Sequence, residues 1–528
     1  MPEKLSKMTR TTTTGIRRNH PKKRCEFWTF LFFLAAGLLV MKGYPLFVDE
    51  AIMYESAVNL VEYGSPHTIL HPWTTKPGRD GLNYSNYGIG QSLFQIPFYL
   101  AAKPFLPDRS PDLGQRRQMA VYPMPAIIAA LIAVLFLKIL LQLGYSFRTS
   151  LQITLLLGFA TMMWPYSKML FRDPLQAVLL LASVWFLVKS PPNPWLSGTF
   201  LGIAVTVKET MGLYALFLVL YLLYPRQNRS VKNIIAFGLP IAAGVAVCLL
   251  YNWYRFGTIL DFGYTEANIR YGMSTPLLEG LHGQLLSSGG GFFIYNPVTF
   301  LAVLAFPAYI SKHRAEGWLF ACIIVTAVVF HSKYWSWGGG WAWGPRYLLI
   351  IVPFMVFPLA AVWRDWTAVR WKRLGICILI GVSVAVQIPG VLMHVGPYYS
   401  MMAYDVHLFP LTHENGSTVR SDMIHVDFIP QFSPIWGLSW TLKHAMTMPF
   451  LPMMEIRQRM IDDCPWRSLS TDWVPDHPET ALGMGPDLLA VAWHHTWRKP
   501  MIFMILYYSG VLLLLGYSGN RLRRMSRQ

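Results

Sequence analysis

Apolar residues run along this chain in blocks of about 15–20, the length a helix needs to cross the hydrocarbon core of a bilayer. About twelve such blocks stand out, at 27–43, 119–142, 150–165, 173–189, 195–208, 211–224, 233–251, 298–311, 317–331, 347–363, 374–391 and 500–517. They predict an all-α polytopic membrane protein with about twelve transmembrane helices. Several blocks are short for a full crossing, which tilting, packing on neighbours or a half-span accommodates. The stretches between blocks alternate in length. Short ones are joined on one side, whereas 44–118, 252–297, 332–346 and 392–499 form larger loops on the other. Loops longer than a connection requires usually carry function, so the working face is expected on the long-loop side.

Two segments of the first long loop have helical patterning of their own. Residues 50–63 place Tyr54, Ala57, Val58 and Val61 on one face and end at Gly64, a stop signal. Residues 88–106 are apolar and interrupted by Pro97. Counted as a span, this second stretch would invert every later loop, so it is read as a helix lying in the membrane interface.

Charge sets the orientation. The short loops and both tails hold 23 basic and 4 acidic residues, against 22 and 23 in the rest of the chain. The net charge of +18 therefore lies on one face, and the bias of Lys and Arg toward cytoplasmic loops makes that face the inner one. Both termini are then cytoplasmic. The basic balance is a topology signal rather than a nucleic-acid footprint, and nucleic acid is not expected as a partner. Composition agrees: 53% of residues are hydrophobic, 14% are charged, and the mean hydropathy is +0.35, where a soluble domain is about a quarter charged. The first block follows a 26-residue basic tail without a small-residue cleavage site and is expected to stay as a membrane anchor. Five cysteines, only Cys464 in an outer loop, give no disulfide framework and no metal spacing. The organisation is thus a cytoplasmic tail (1–26), a transmembrane core (27–391), a long outer region (392–499), and a last span with a basic tail (500–528).

Candidate chemistry gathers at the outer ends of the spans. FVDEAIMY places Asp49 and Glu50 just after the first span. A carboxylate there can take a proton from an attacking hydroxyl; equally, Asp suits an N-cap and Glu a first helical turn. WPYSKMLFRDPLQAV carries Asp173 before Pro174, a pattern for an N-cap followed by Pro at the first helical position. Asp49 and Asp173 come from separate spans, yet the topology brings both to the same surface. VTVKETMG sets Lys208 and Glu209 between two apolar runs, either as a satisfied ion pair or with the Lys holding a phosphate. HSKYWSWGGGWAWGPRYLL combines Gly338–Gly340, four tryptophans and Gly-Pro-Arg ahead of the tenth span. An aromatic belt would account for the tryptophans. The helix start beside Arg346 reads as a phosphate site, and Lys333, Trp343 and Tyr347 join it as substrate-binding candidates, with tryptophan faces available to a sugar. YNWYRFG adds Arg255, and SSGGGFFIYNP a second glycine run.

In this order and at these topological positions, the motifs resemble the C-type glycosyltransferases (GT-C), nearest to the branch of protein O-mannosyltransferases and the lipid A aminoarabinose transferase. Asp49-Glu50 is similar to the acidic pair of that family's first outer loop, Tyr166-Ser167-Lys168 with Asp173 to its Tyr-Ser-Arg and second-loop Asp, and Lys208 in LGIAVTVKETMG to its Lys after the fifth span. Lys168 stands where Arg is commoner, and YGIG occupies the place of a Lys-Pro-Pro motif. The resemblance spans about residues 27–390 and implies transfer of a sugar from a polyprenyl-phosphate carrier to an acceptor hydroxyl, amine or phosphate on a glycan, lipid or protein. It implies Asp49 as the base with Glu50 beside it, Asp173 positioning acceptor or sugar or holding a metal, and Lys208, Arg346 and Arg255 on the lipid phosphate. No cofactor is required, and a divalent metal is compatible. A bacterial inner membrane with a periplasmic active site is the implied location. The competing classes are a transporter or flippase for a lipid-linked substrate, whose ionisable groups would lie at midplane, and a non-catalytic assembly subunit.

Overall fold

The computed structural model describes residues 19–42, 47–71, 74–105, 118–224, 230–264, 266–400, 426–447 and 502–527. The basic tail up to residue 18 and most of the 392–499 region lie outside the described residues, as does Cys464.

Helices account for nearly all the regular structure. Five are long and apolar enough to cross a membrane: Met119–Gln142, Val231–Phe256, Arg314–Lys333, Arg370–Leu392 and Ile502–Met525. A sixth crossing forms if Arg346–Val356 and Leu359–Ala368, bent by 60°, make one broken span. All twelve apolar blocks coincide with helical structure, but twelve full-length spans are not what the described residues show. The block at 150–165 is a 13-residue helix, Phe147–Phe159, and the one at 173–189 a 17-residue helix, Arg172–Val188. The 347–363 block opens in a 3-10 turn, Arg346–Ile351, and bends near Pro358.

Packing runs from the terminal helices inward. Ile502–Met525 lies antiparallel on Asn19–Leu39, with Tyr517 against Trp28 and the Tyr507 hydroxyl on the Leu38 carbonyl at 2.8 Å. Asn19–Leu39 packs on Pro123–Gln142, then Arg172–Val188, Pro194–Val207 and Val231–Phe256 follow as neighbours. Close approach of the last pair requires absent side chains. A Cβ on Gly198 would sit 2.0 Å from the Phe237 carbonyl oxygen, one on Gly202 2.4 Å from that of Pro240, and one on Gly244 2.3 Å from that of Gly202. Gly198-x-x-x-Gly202 is the small-residue spacing that lets apolar helices meet backbone to backbone.

The first long loop holds the two expected helices, Val48–Tyr63 and Ile89–Ala102. The former buries Tyr54, Ala57 and Val58 and stops at Gly64, whose φ of 70° favours glycine. The latter buries Gln91, Ser92 and Gln95 while exposing Leu93, Phe94 and Leu100. Polar-in and apolar-out is the burial expected of a helix facing lipid on its outer side. Between them lies a small antiparallel hairpin not expected from the sequence, Thr75–Pro77 with Asn83–Ser85, closed through PGRDG with Gly81 at φ 81°.

Leucine at position 202 is expected to force the Pro194–Val207 and Val231–Phe256 helices apart at a cost of about 1–3 kcal/mol. Gly238→Ala, on the same second helix with open space around its Cβ, is expected to be tolerated. Thermal unfolding of the purified protein in detergent checks this, and equal midpoints for the two variants would contradict the packing.

Candidate active site

The site begins with a carboxylate that does not face it. Glu50, in the first turn of Val48–Tyr63, is fully buried, where an unpaired charge would be prohibitively costly. It accepts hydrogen bonds from Lys42 Nζ at 2.7 Å, the Phe47 amide at 3.0 Å and the Leu170 amide at 2.5 Å. The Phe47 bond is one half of a capping box. The Leu170 bond ties this helix start to the turn before Arg172–Val188, and Gln91 Nε2 holds the Leu170 carbonyl at 3.0 Å from the other side. Phe47 stacks on Phe171 with ring centres 5.2 Å apart.

With Glu50 anchored, Asp49 turns the other way. Its Oδ2 accepts from Arg346 Nη1 at 2.8 Å, and its side chain keeps about a fifth of its exposure. The Tyr87 hydroxyl lies beside the same carboxylate and favours its ionised form. Burial alone would raise the Asp49 pKa, but Arg346, the Tyr87 hydroxyl and the nearby Arg172 outweigh it and hold it below the ordinary aspartate value. The folded-state pKa is therefore depressed, so this pairing stabilises the fold at neutral pH and the contribution is lost as pH falls through that pKa. Asp49 is not an N-cap: Phe47 occupies that position.

Arg172 and Lys208 complete the cationic wall. The Arg172 guanidinium lies 4.7 Å from the centre of the Tyr87 ring, with Nη1 buried and lacking a hydrogen-bond partner. Lys208, at the end of Pro194–Val207, places Nζ 4.5 Å from the centre of the Tyr347 ring. Among the described residues neither Arg172 nor Lys208 forms an ion pair within 4 Å, so the Lys208–Glu209 pair allowed by sequence is not made. On the Tyr347 ring stacks His331, 5.2 Å away, whose Nδ1 donates to the Ala327 carbonyl at 2.9 Å and whose buried Nε2 has no partner. Arg346 packs over Phe171 at 4.7 Å and Tyr347 at 5.3 Å, its buried Nε also without a partner. Gly339, at φ 81°, lies so close that a Cβ there would meet Arg346 Cγ at 2.8 Å.

Asp173 is buried in the first turn of Arg172–Val188, behind Phe171 as N-cap rather than serving as the cap itself. Its Oδ1 accepts a long 3.4 Å bond from Gln176 Nε2, and it counts among the charges acting on Arg346 and Lys208. Glycines 88 and 90 of the YGIG stretch abut Thr206 and Val207, which brings Tyr87 close to the Lys208 turn.

The structure gives five of the predicted site residues contacts that the sequence did not suggest. Glu50 stands beside Asp49 in sequence but is held by Lys42 and two amides. Arg255 is buried, its Nη1 donates to the carbonyls of Ser85 and Tyr87, and its Nη2 to Asn252 Oδ1 at 2.7 Å. It thereby clamps the loop that presents Tyr87. Lys333 donates to the Thr275 carbonyl at 2.8 Å, pinning a loop. Trp343 is fully buried, bonded through Nε1 to Gln387 at 3.3 Å and edge-on to Tyr295, so its face is closed to a sugar. Arg346 also heads a six-residue 3-10 turn, not a long helix, so its guanidinium rather than a helix N-terminus supplies the positive charge. Arg172, Tyr87 and His331 were not singled out from the sequence. The signal for Arg172 was a cation on the long-loop side, against the charge bias. The residues present do not fit a divalent cation: among the described residues no three His, Cys, Asp or Glu side chains converge, and Asp49 and Asp173 lie among cations.

No protein-family model matches the chain, and no curated protein matches it. Among solved structures, the apo oligosaccharyltransferase of Archaeoglobus fulgidus is similar at a TM-score of 0.44, with 11% identity over 74% of this chain and 59% of that one. The Archaeoglobus fulgidus oligosaccharyltransferase AglB in complex with an inhibitory peptide and a dolichol-phosphate is similar at 0.44, with 10% identity over 74% and 58%. This chain thus spans less than two thirds of the length of those proteins. No functional assignment rests on either likeness.

Removing one partner of the buried Glu50 pair, as in Lys42→Met, is expected to cost about 3–5 kcal/mol, whereas Asp49→Asn should shift stability far less. Thermal melting in detergent distinguishes them. Equal losses would show that Glu50 is not the anchor of the site.

Proposed function

We propose that the chain is a membrane glycosyltransferase of the GT-C type that moves a sugar from a polyprenyl-phosphate carrier to an acceptor hydroxyl, with its active site on the extracytoplasmic face. The carrying observation is the convergence of an accessible, ionised Asp49 with Arg346, Arg172 and Lys208, two of which have no carboxylate in contact. A lipid monophosphate is the chemistry that such a cluster suits: a compact anion that guanidinium groups bind through charge-assisted hydrogen bonds.

The reaction is a single displacement. The acceptor oxygen attacks the anomeric carbon, its proton passes to Asp49, the bond from anomeric carbon to phosphate oxygen breaks, and polyprenyl phosphate departs with the bonding electrons. One base on the face opposite the leaving group inverts the anomeric configuration. Phosphate is a good leaving group, so departure calls for charge stabilisation more than for an acid, and Arg346, Arg172 and Lys208 supply it. Tyr87 orients the Asp49 carboxylate. Asp173, buried in the first turn of its own helix and acting on Arg172, Lys208 and Arg346 by charge alone, positions the acceptor or the sugar. Tyr347 carries Lys208 on its face. The charge bias of the loops supports cytoplasmic termini and an extracytoplasmic site, and the family resemblance supports a bacterial inner membrane with periplasmic chemistry.

Asp49→Asn is expected to abolish transfer of labelled sugar from a polyprenyl-phosphate donor by purified protein while leaving it folded. Near-normal turnover, or uptake of the lipid-linked sugar into sealed vesicles without transfer, would contradict the proposal. Arg172→Gln and Lys208→Gln should weaken use of the donor by about tenfold or more each, about 1.4 kcal/mol for a factor of ten. Because a base must be ionised, wild-type kcat/KM should hold until pH falls below the ordinary aspartate range. Arg346→Gln removes the cation but not the burial, so its acid limb should move to higher pH; an unmoved limb would detach Asp49 from the profile.

A further inference from the structure

At the other end of the molecule lies a second charged feature that sugar transfer does not use. Asp49 follows the C-terminal end of Asn19–Leu39, and Arg172 follows that of Phe147–Phe159 by a short turn. The N-terminal half of Phe147–Phe159 and the C-terminal end of Ile502–Met525, with Phe32 from the middle of Asn19–Leu39, border a cleft of about 480 Å³. Its apolar wall is Phe32, Leu151 and Leu155; its rim carries Arg148 from one helix and Arg523 and Arg527 from another more than 370 residues away in sequence.

The charges are one-sided. No carboxylate lines the cleft, and among the described residues none of the three guanidinium groups has an acidic partner. By contrast, Arg521 on the same helix is engaged by the Tyr517 hydroxyl and the Trp28 ring. Three exposed cations bordering one cleft, with no acidic partner among the described residues, make its rim attractive to an anion. The wall beneath them is largely apolar, with Gln152 and Ser526 as its polar members, and the same last helix exposes Leu512 and Leu513 further along. An anion that is also apolar, at the level where a spanning helix leaves the bilayer, is an anionic phospholipid. Basic clefts between spanning helices bind such headgroups.

We propose that this cleft is a binding site for one anionic phospholipid, its headgroup phosphate held by Arg148, Arg523 and Arg527 and its acyl chains lying along Phe32, Leu151 and Leu155. Such a lipid would bridge the last helix to the core, since Arg523 and Arg527 belong to one and Arg148 to the other. The proposal is independent of the catalytic reading and stands if that reading fails.

Native mass spectrometry of the purified full chain, titrated separately with phosphatidylglycerol and phosphatidylcholine, tests it. Wild type should retain phosphatidylglycerol with at least tenfold lower apparent Kd than phosphatidylcholine. The R148Q/R523Q/R527Q variant should lose that preference. Ser526→Glu, which sets a carboxylate among the guanidinium groups without removing any of them, should lose it too and guards against misfolding of the triple variant. R370Q/R373Q, an exposed basic pair on another helix end, should keep it. Equal retention of both lipids by wild type, an unchanged preference in the triple variant, or an equal loss in the R370Q/R373Q control would overturn the site.

Discussion

The geometry of the candidate active site depends on one carboxylate removed from water. Glu50 sits where a bare charge could not, and three donors from separate parts of the chain satisfy it: the ammonium of Lys42, the amide at the start of its own helix, and the amide of Leu170. That fixes the Val48–Tyr63 helix relative to the Arg172–Val188 helix. Successive residues of a helix point about 100° apart, so anchoring Glu50 inward turns Asp49 toward Arg346. A pair of adjacent acids thereby divides into one that is buried and satisfied by three donors and one that faces the cationic cluster.

A second layer of support is aromatic and backbone. Arg255 grips the carbonyls of Ser85 and Tyr87, Tyr87 lies beside Asp49 and underlies Arg172, and Phe171 underlies Arg346. Tyr347 separates Lys208 from His331. Each cation of the cluster thus lies against a ring, and for Arg172 and Lys208, unlike the Asp49-paired Arg346, no carboxylate is in contact. Glycine backbone at 338–340 leaves room around Arg346. The arrangement keeps positive charge available to an incoming anion, which a set of salt bridges would not.

Much of this was legible in the sequence because hydrophobic blocks and charge bias report directly on helices and their ends. Asp49, Lys208 and Arg346 come together because they occupy helix termini that the alternating loop lengths assign to one face. What stayed illegible concerns partners distant in sequence. Nothing local to Arg255 says that its guanidinium will be absorbed by a hairpin 170 residues earlier, nor that Trp343, in a segment dense with tryptophan, is the one packed under Gln387 and Gly390. The count of spans is less legible for a different reason: apolarity marks a helix as buried in membrane or protein but does not say that it crosses, and helices such as Phe147–Phe159 are shorter than a full crossing.

The account stands on a lipid phosphate seated among Arg346, Arg172 and Lys208. Determination of the structure of the purified protein with a polyprenyl phosphate bound tests this most directly. The account predicts the phosphorus within hydrogen-bonding reach of those three side chains, with Asp49 across the vacant sugar position. A phosphate bound at another surface, with this cluster unchanged, would contradict it.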